Sequence, residues 1–267
     1  MITEDTQPPT HGRKSPSYPG ATPASLRTPA VDSPAGTSGR LTGGQTAPDL
    51  ESGARRAAAA LKPGIRGWLH VGMFPLSLAG GIVLVAEARS TQVAVACSVF
   101  AVSALLLFGT SGVFHRGTWG PRGEAVLRRV DHANIFLIIA GTYTPVTVLL
   151  LPARRQLVLL SVVWAGALAG IAFRMLWMGA PRWLYTPCYV ALGWVAVFYL
   201  PDFARTGGTA VLVLIIAGGL LYTSGALVYA LKRPDPSPRW FGFHEVFHAL
   251  TITAFTAHYT AILLAAT

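Results

Sequence analysis

The sequence predicts an all-α integral membrane protein, a bundle of about seven transmembrane helices with its amino terminus in the cytoplasm. Three observations lead there. Asp, Glu, Lys and Arg make up only 12% of the 267 residues against 52% hydrophobic, where a soluble domain carries about a quarter charged residues. From Trp68 onward, apolar runs of the ~20 residues that cross a hydrocarbon core recur between short polar breaks. The basic residues are also distributed unevenly over those breaks, which sets the orientation of such a bundle.

Taken in chain order, residues 1–65 are rich in Pro, Gly, Ser, Thr and Ala and show no apolar periodicity. Such a stretch buries too little surface to offset the entropy of ordering it, and it is expected to form a disordered cytoplasmic tail. Its opening, MITEDTQPPT, is acidic and Pro-bearing with no apolar core behind it, so no secretory signal peptide is expected there. The membrane domain is placed at 66–267, with spans near 68–87, 93–113, 133–151, 157–177, 184–201, 209–231 and 245–265. Gly80, Gly81, Gly166, Gly170, Gly218 and Gly219 fall inside spans, where small residues let neighbouring helices approach. Pro75 and Pro145 are expected to kink their helices. Cys97 and Cys188 stand apart in apolar stretches and are read as small buried hydrophobes rather than disulfide partners or thiolate ligands.

On the side of the tail stand Arg55, Arg56, Lys62, Arg66, Arg116, Arg122, Arg128, Arg129, Arg174, Arg182, Lys232, Arg233 and Arg239. These are thirteen, against four on the other side, Arg89, Arg154, Arg155 and Arg205. The imbalance places the chain in the cell membrane as a multi-pass protein with the carboxyl terminus outside. The formal charge of +10 could point to nucleic acid, but the basic residues lie singly or in pairs beside apolar runs and form no stripe, so no nucleic-acid partner is expected. The partner is membrane lipid.

Ionisable groups at membrane depth are costly, and each is a functional candidate. The second span ends in SGVFH, which sets Ser111 and His115 on one helical face. The third opens with Asp131 and His132. The seventh opens with HEVFH, which likewise aligns His244 and His248. With the second helix running inward and the third and seventh running outward, all three clusters reach the cytoplasmic end. His115, His244 and His248, with a carboxylate beside them, match zinc held with an open coordination position. His258, fourteen residues beyond His244, falls on the same face about 20 Å deeper, too deep to share the ion, and is expected to line the pocket. His70 and His132 are read as packing or hydrogen-bonding residues. HEVFH also fits the zinc-protease pattern H-E-x-x-H with Glu245 as base. No Asp or Glu follows Glu245, however, and the third-His position of the longer motif is Ala254.

SGVFH, DHANIFLIIAGTYTP and HEVFH, in this order on these spans, resemble the hemolysin III branch of the progestin and adipoQ receptor superfamily, from about residue 66 to the end. The resemblance implies seven helices with a cytoplasmic amino terminus and zinc on His115, His244 and His248. It also implies that Asp131 holds the water at the metal, with Ser111 as a hydrogen-bonding partner beside it. Ceramidase-like members of the wider superfamily imply a hydrolase of lipid amide or ester bonds, in which Asp131 accepts the water's proton and Ser111 orients the site or stabilises the oxyanion. The alternatives are a receptor-like or membrane-homeostasis protein with structural zinc, and the pore-forming cytolysin that the family name suggests.

Overall fold

The computed structural model describes residues 65, 67–177, 179–237 and 240–267. The tail read over 1–65 lies outside them except for Ile65, as do the basic residues Arg55, Arg56, Lys62, Arg66 and Arg239. The described residues form seven α-helices: α1 Trp68–Ala86, α2 Thr91–Arg116, α3 Pro121–Leu150, α4 Ala153–Leu176, α5 Arg182–Trp194, α6 Leu200–Leu231 and α7 Phe243–Ala266. A 3-10 segment, Val195–Tyr199, joins α5 to α6.

Helices are what lipid permits, because every backbone N–H and C=O is then satisfied within its own segment. The ends are set by local chemistry. Ser90 caps α2 by accepting the Val93 N–H at 3.3 Å, and Pro121 opens α3 at the position where a missing N–H costs nothing. The Glu124–Arg128 pair, one turn apart, supports the polar first turns of α3. For these reasons α3 starts at Pro121 rather than near 133, and Asp131 and His132 lie inside the helix instead of opening it. Pro75 and Pro145, read as kink points, lie within helices that run on past them.

Among the described residues, six helical stretches are long and apolar enough to cross a membrane. The spans expected at 184–201 and 209–231 fall together on one of them, Arg182–Leu231, 50 residues long. It is interrupted twice. At the 3-10 segment the central helix repairs the break: the Tyr143 hydroxyl accepts the Ala196 N–H at 2.7 Å and donates to the Gly193 carbonyl at 2.6 Å. Gly208 has φ +73° and ψ 179°, a combination open essentially to glycine alone, and the helix is broken there.

Each helix packs on the next, α7 closes back on α1, and α3 touches α2, α4, α5, α6 and α7. Within its apolar window 72% of α3 is buried against 22% of α1 and α4, so α3 is the axis and the others form the wall. Leu76, Leu157, Leu168 and Phe198 are exposed on that wall, where lipid is the solvent. Between α2 and α3 the approach is close at Gly141, where a Cβ would fall on the Ser103 side chain. Cys97 is buried as expected. Cys188 is not: it is exposed, because α5 turns that face away from the core, and its thiol bonds to the Leu184 carbonyl at 3.3 Å.

Replacing Gly141 with Ala overpacks the α2–α3 contact and should cost about 1–3 kcal/mol, read as a lowered thermal midpoint of the detergent-solubilised protein. Gly72→Ala, at a position with no atom near the added methyl, should leave that midpoint unchanged or raise it.

Candidate metal centre

Two helix ends carry the cluster. The last turn of α2 presents His115, and the first two turns of α7 present His244 and His248 on one face. The start of α7 is fixed by two carboxylates: Glu245 accepts the Gly242 N–H at 2.9 Å and Asp235 accepts the Phe243 N–H at 2.9 Å. These satisfy donors that a helix end otherwise leaves orphaned. Glu245 is fully buried and its carboxylate is engaged in this cap, a role different from that of the base in a zinc-protease motif.

Among the described residues, one ligand nitrogen from each of His115, His244 and His248 lies within 4.8 Å of the other two. The Nε2 atoms of His115 and His244 are 3.2 Å apart. A tetrahedral zinc with bonds of about 2.0–2.1 Å holds neighbouring nitrogens about 3.3 Å apart, so this pair already stands at ligand spacing. The three rings are inclined to one another at 58–73°, with centroids 4.4–5.3 Å apart, and so they converge on a point rather than stack. Three imidazoles with a fourth direction left to the cavity are a donor set that fits zinc.

The first turn of α1 clamps two of these ligands. Gly67, with φ +84°, brings its backbone so close to His115 that a Cβ would lie 2.8 Å from the His115 Cβ. Arg116 then covers the Trp68 ring at 4.4 Å. His70 is buried and stacks on His248 with centroids 3.8 Å apart and planes 16° apart, backed edge-on by Phe108 at 5.1 Å. Neither ring nitrogen of His70 has a hydrogen-bonding partner among the described residues. The packing role expected of His70 is therefore its role, and the residue it packs on is a candidate ligand.

Ser111 is buried and stands beside the Asp131 side chain, within hydrogen-bonding reach of its carboxyl group. His132 makes the hydrogen bonds expected of it. Its Nδ1 donates to the Arg128 carbonyl at 2.6 Å, which leaves Nε2 to accept from the Tyr229 hydroxyl at 3.1 Å.

The three histidines, Ser111 and Asp131 all line one cavity of about 930 Å³. Its apolar wall includes Ile135, Ile138, Ile139, Val146, Leu200 and Phe203, and His258 lines it away from the cluster. Sequence reasoning missed Arg174 and Arg182, which had served only in the charge count. Both line the cavity. Arg174 is buried with its guanidinium over Tyr185 at 4.2 Å, and Arg182 lies over Tyr229 at 4.8 Å. The position of Arg174 inside the apolar run IAFRML was the signal available.

Comparison with known proteins finds relatives of this chain. Residues 59–259 match the family described as haemolysin-III related. The chain is 32% identical over 164 residues to the hemolysin-3 homolog of Bacillus subtilis (strain 168), covering 61% of this chain and 76% of that protein. It is 31% identical over 162 residues to hemolysin-3 of Bacillus cereus, covering 59% and 73%. The adiponectin receptor protein of Drosophila melanogaster is 28% identical over 193 residues, 64% of this chain and 43% of that receptor.

Elemental analysis of the purified protein should find about one zinc per chain and none in the His244→Ala, His248→Ala double variant; equal metal in both would remove the site. Protons compete for the same imidazoles, so bound metal should be released as pH falls. His70→Ala should weaken metal retention and alter the absorption of cobalt-substituted protein, while His70→Phe, which keeps the stacking, should do neither.

Proposed function

The chain belongs to the haemolysin-III related family, and from that premise we propose that it is a zinc-dependent membrane hydrolase acting on lipid amide or ester bonds. The observation that carries the reading is the convergence of His115, His244 and His248 at a cavity whose wall is otherwise largely apolar. Such a cavity accepts an acyl chain and excludes water around the scissile bond.

The bundle is read as seven passes. A 50-residue stretch would extend about 75 Å as one straight helix, more than twice the ~30 Å core, and the break at Gly208 divides it into two membrane-length arms. The excess of basic residues on one side supports a cytoplasmic amino terminus. The histidines then lie at the inner end of the bundle, within reach of lipid in the inner leaflet.

Bound zinc would supply a Lewis acid that polarises the scissile carbonyl and eases deprotonation of water at neutral pH. The remaining work falls to side chains. Asp131 takes the proton from the attacking water, which a base must reach directly or through one water. Ser111 stands beside Asp131, which favours a role in orienting that carboxyl group over donation to an oxyanion. The apolar wall formed by Ile135, Ile138 and Ile139 aligns the acyl chain.

A second reading has its own observation. The histidines come from α2 and α7, which also meet through Phe255, stacked on Phe100 at 5.2 Å and edge-on to Phe108 at 5.1 Å. A metal at this seam would fasten the two helices, and zinc would then be structural in a receptor-like or homeostatic protein.

Purified, metal-replete protein offered ceramides and lysolipids should turn over at least one of them. Asp131→Ala should lower the rate at least ~100-fold while retaining zinc. Absence of turnover, together with a sharp fall in thermal midpoint for His115→Ala, would decide for structural zinc, because metal-binding energy is then folding energy.

A further inference from the structure

Ten residues along α7 from His248, about 15 Å of helix, the cavity wall carries His258 and, from α6, Tyr222. His258 Nε2 lies 3.1 Å from the Ile215 carbonyl oxygen. A carbonyl only accepts, so Nε2 carries the proton, and in the neutral ring Nδ1 is left as an acceptor. That nitrogen has no hydrogen-bonding partner among the described residues, and neither has the Tyr222 hydroxyl. The two rings are neighbours, with centroids 5.6 Å apart and planes inclined at 52°. Gly218, one turn before Tyr222, makes room for the imidazole, since a Cβ there would fall on the His258 ring. An acceptor and a donor therefore stand together, unpaired, at a depth where hydrocarbon can satisfy neither.

We propose that this pair recognises an alcohol hydroxyl on the chain of the bound amphiphile. The hydroxyl donates to His258 Nδ1 and accepts from Tyr222. A second carbonyl or an ether oxygen would pair with Tyr222 but leave the nitrogen unmet, whereas a group that both gives and takes a proton serves both atoms. The inference rests on reading the cavity as an acyl site, and it narrows the ligand class to a single-chain lipid with its polar head at the histidine cluster and a hydroxyl near mid-chain.

The full-length protein in nanodiscs tests it, with stearate and a mid-chain hydroxystearate competing against a fluorescent fatty acid. Hydroxystearate should bind about tenfold more tightly than stearate, and Tyr222→Phe should bind the two equally. Equal affinities in the unaltered protein would overturn the proposal, the pair then being served by water, and would leave the acyl-site reading in place. Failure of both chains to bind would overturn the proposal and the acyl-site reading together. A preference that survives in Tyr222→Phe would also overturn the assignment to this pair.

Discussion

A polar group at membrane depth must find its partner inside the protein, because the surrounding hydrocarbon offers none. That constraint explains more of this bundle than any packing rule. Ser98, Ser103, Thr142, Thr144 and Thr251 each turn the hydroxyl back onto a carbonyl of the preceding turn. Asn134 donates across to the Leu106 carbonyl at 2.9 Å, tying α3 to α2. Tyr143 reaches from α3 to complete the backbone where the helix after α5 loosens. The Tyr222 hydroxyl and His258 Nδ1 are without a partner among the described residues and belong to residues that line the cavity, which is why they are informative.

The same constraint shapes the candidate metal centre. Imidazoles converge where α2 ends and α7 begins, and two of the three are braced by a neighbour. His248 is stacked by His70, and His115 is held under the backbone of Gly67. Asp131 is met by Ser111. Bracing of this kind fixes ring orientation before any ion arrives, and so lowers the ordering cost of binding one.

Function and stability share α3. It is the most buried helix, it carries Asp131 and His132 near its polar end, and its middle supplies Ile135, Ile138 and Ile139 to the cavity. Its close contacts with α2 at Gly141 and Asn134 set the depth at which Asp131 stands beside Ser111. The arginines over Tyr185 and Tyr229 line the polar end of the same cavity, so basic residues that first served to count topology also shape the chamber.

The sequence alone determined the fold class, the approximate placing of the apolar runs, and the residues that lipid should have excluded. Apolar run length and the i, i+4 register are properties of a single helix and can be read without its neighbours. Ser111, His115, Asp131, His244, His248 and His258 were visible for that reason, as was the family resemblance carried by their motifs. Only the tertiary structure decided what met what. His115 faces His244 across 129 residues of chain, Glu245 caps a helix, Arg174 points inward, and Cys188 points out. The rotation of each helix about its axis is set by close contacts with its neighbours, at Gly141, Gly67 and Gly218 here, and no local pattern encodes that rotation.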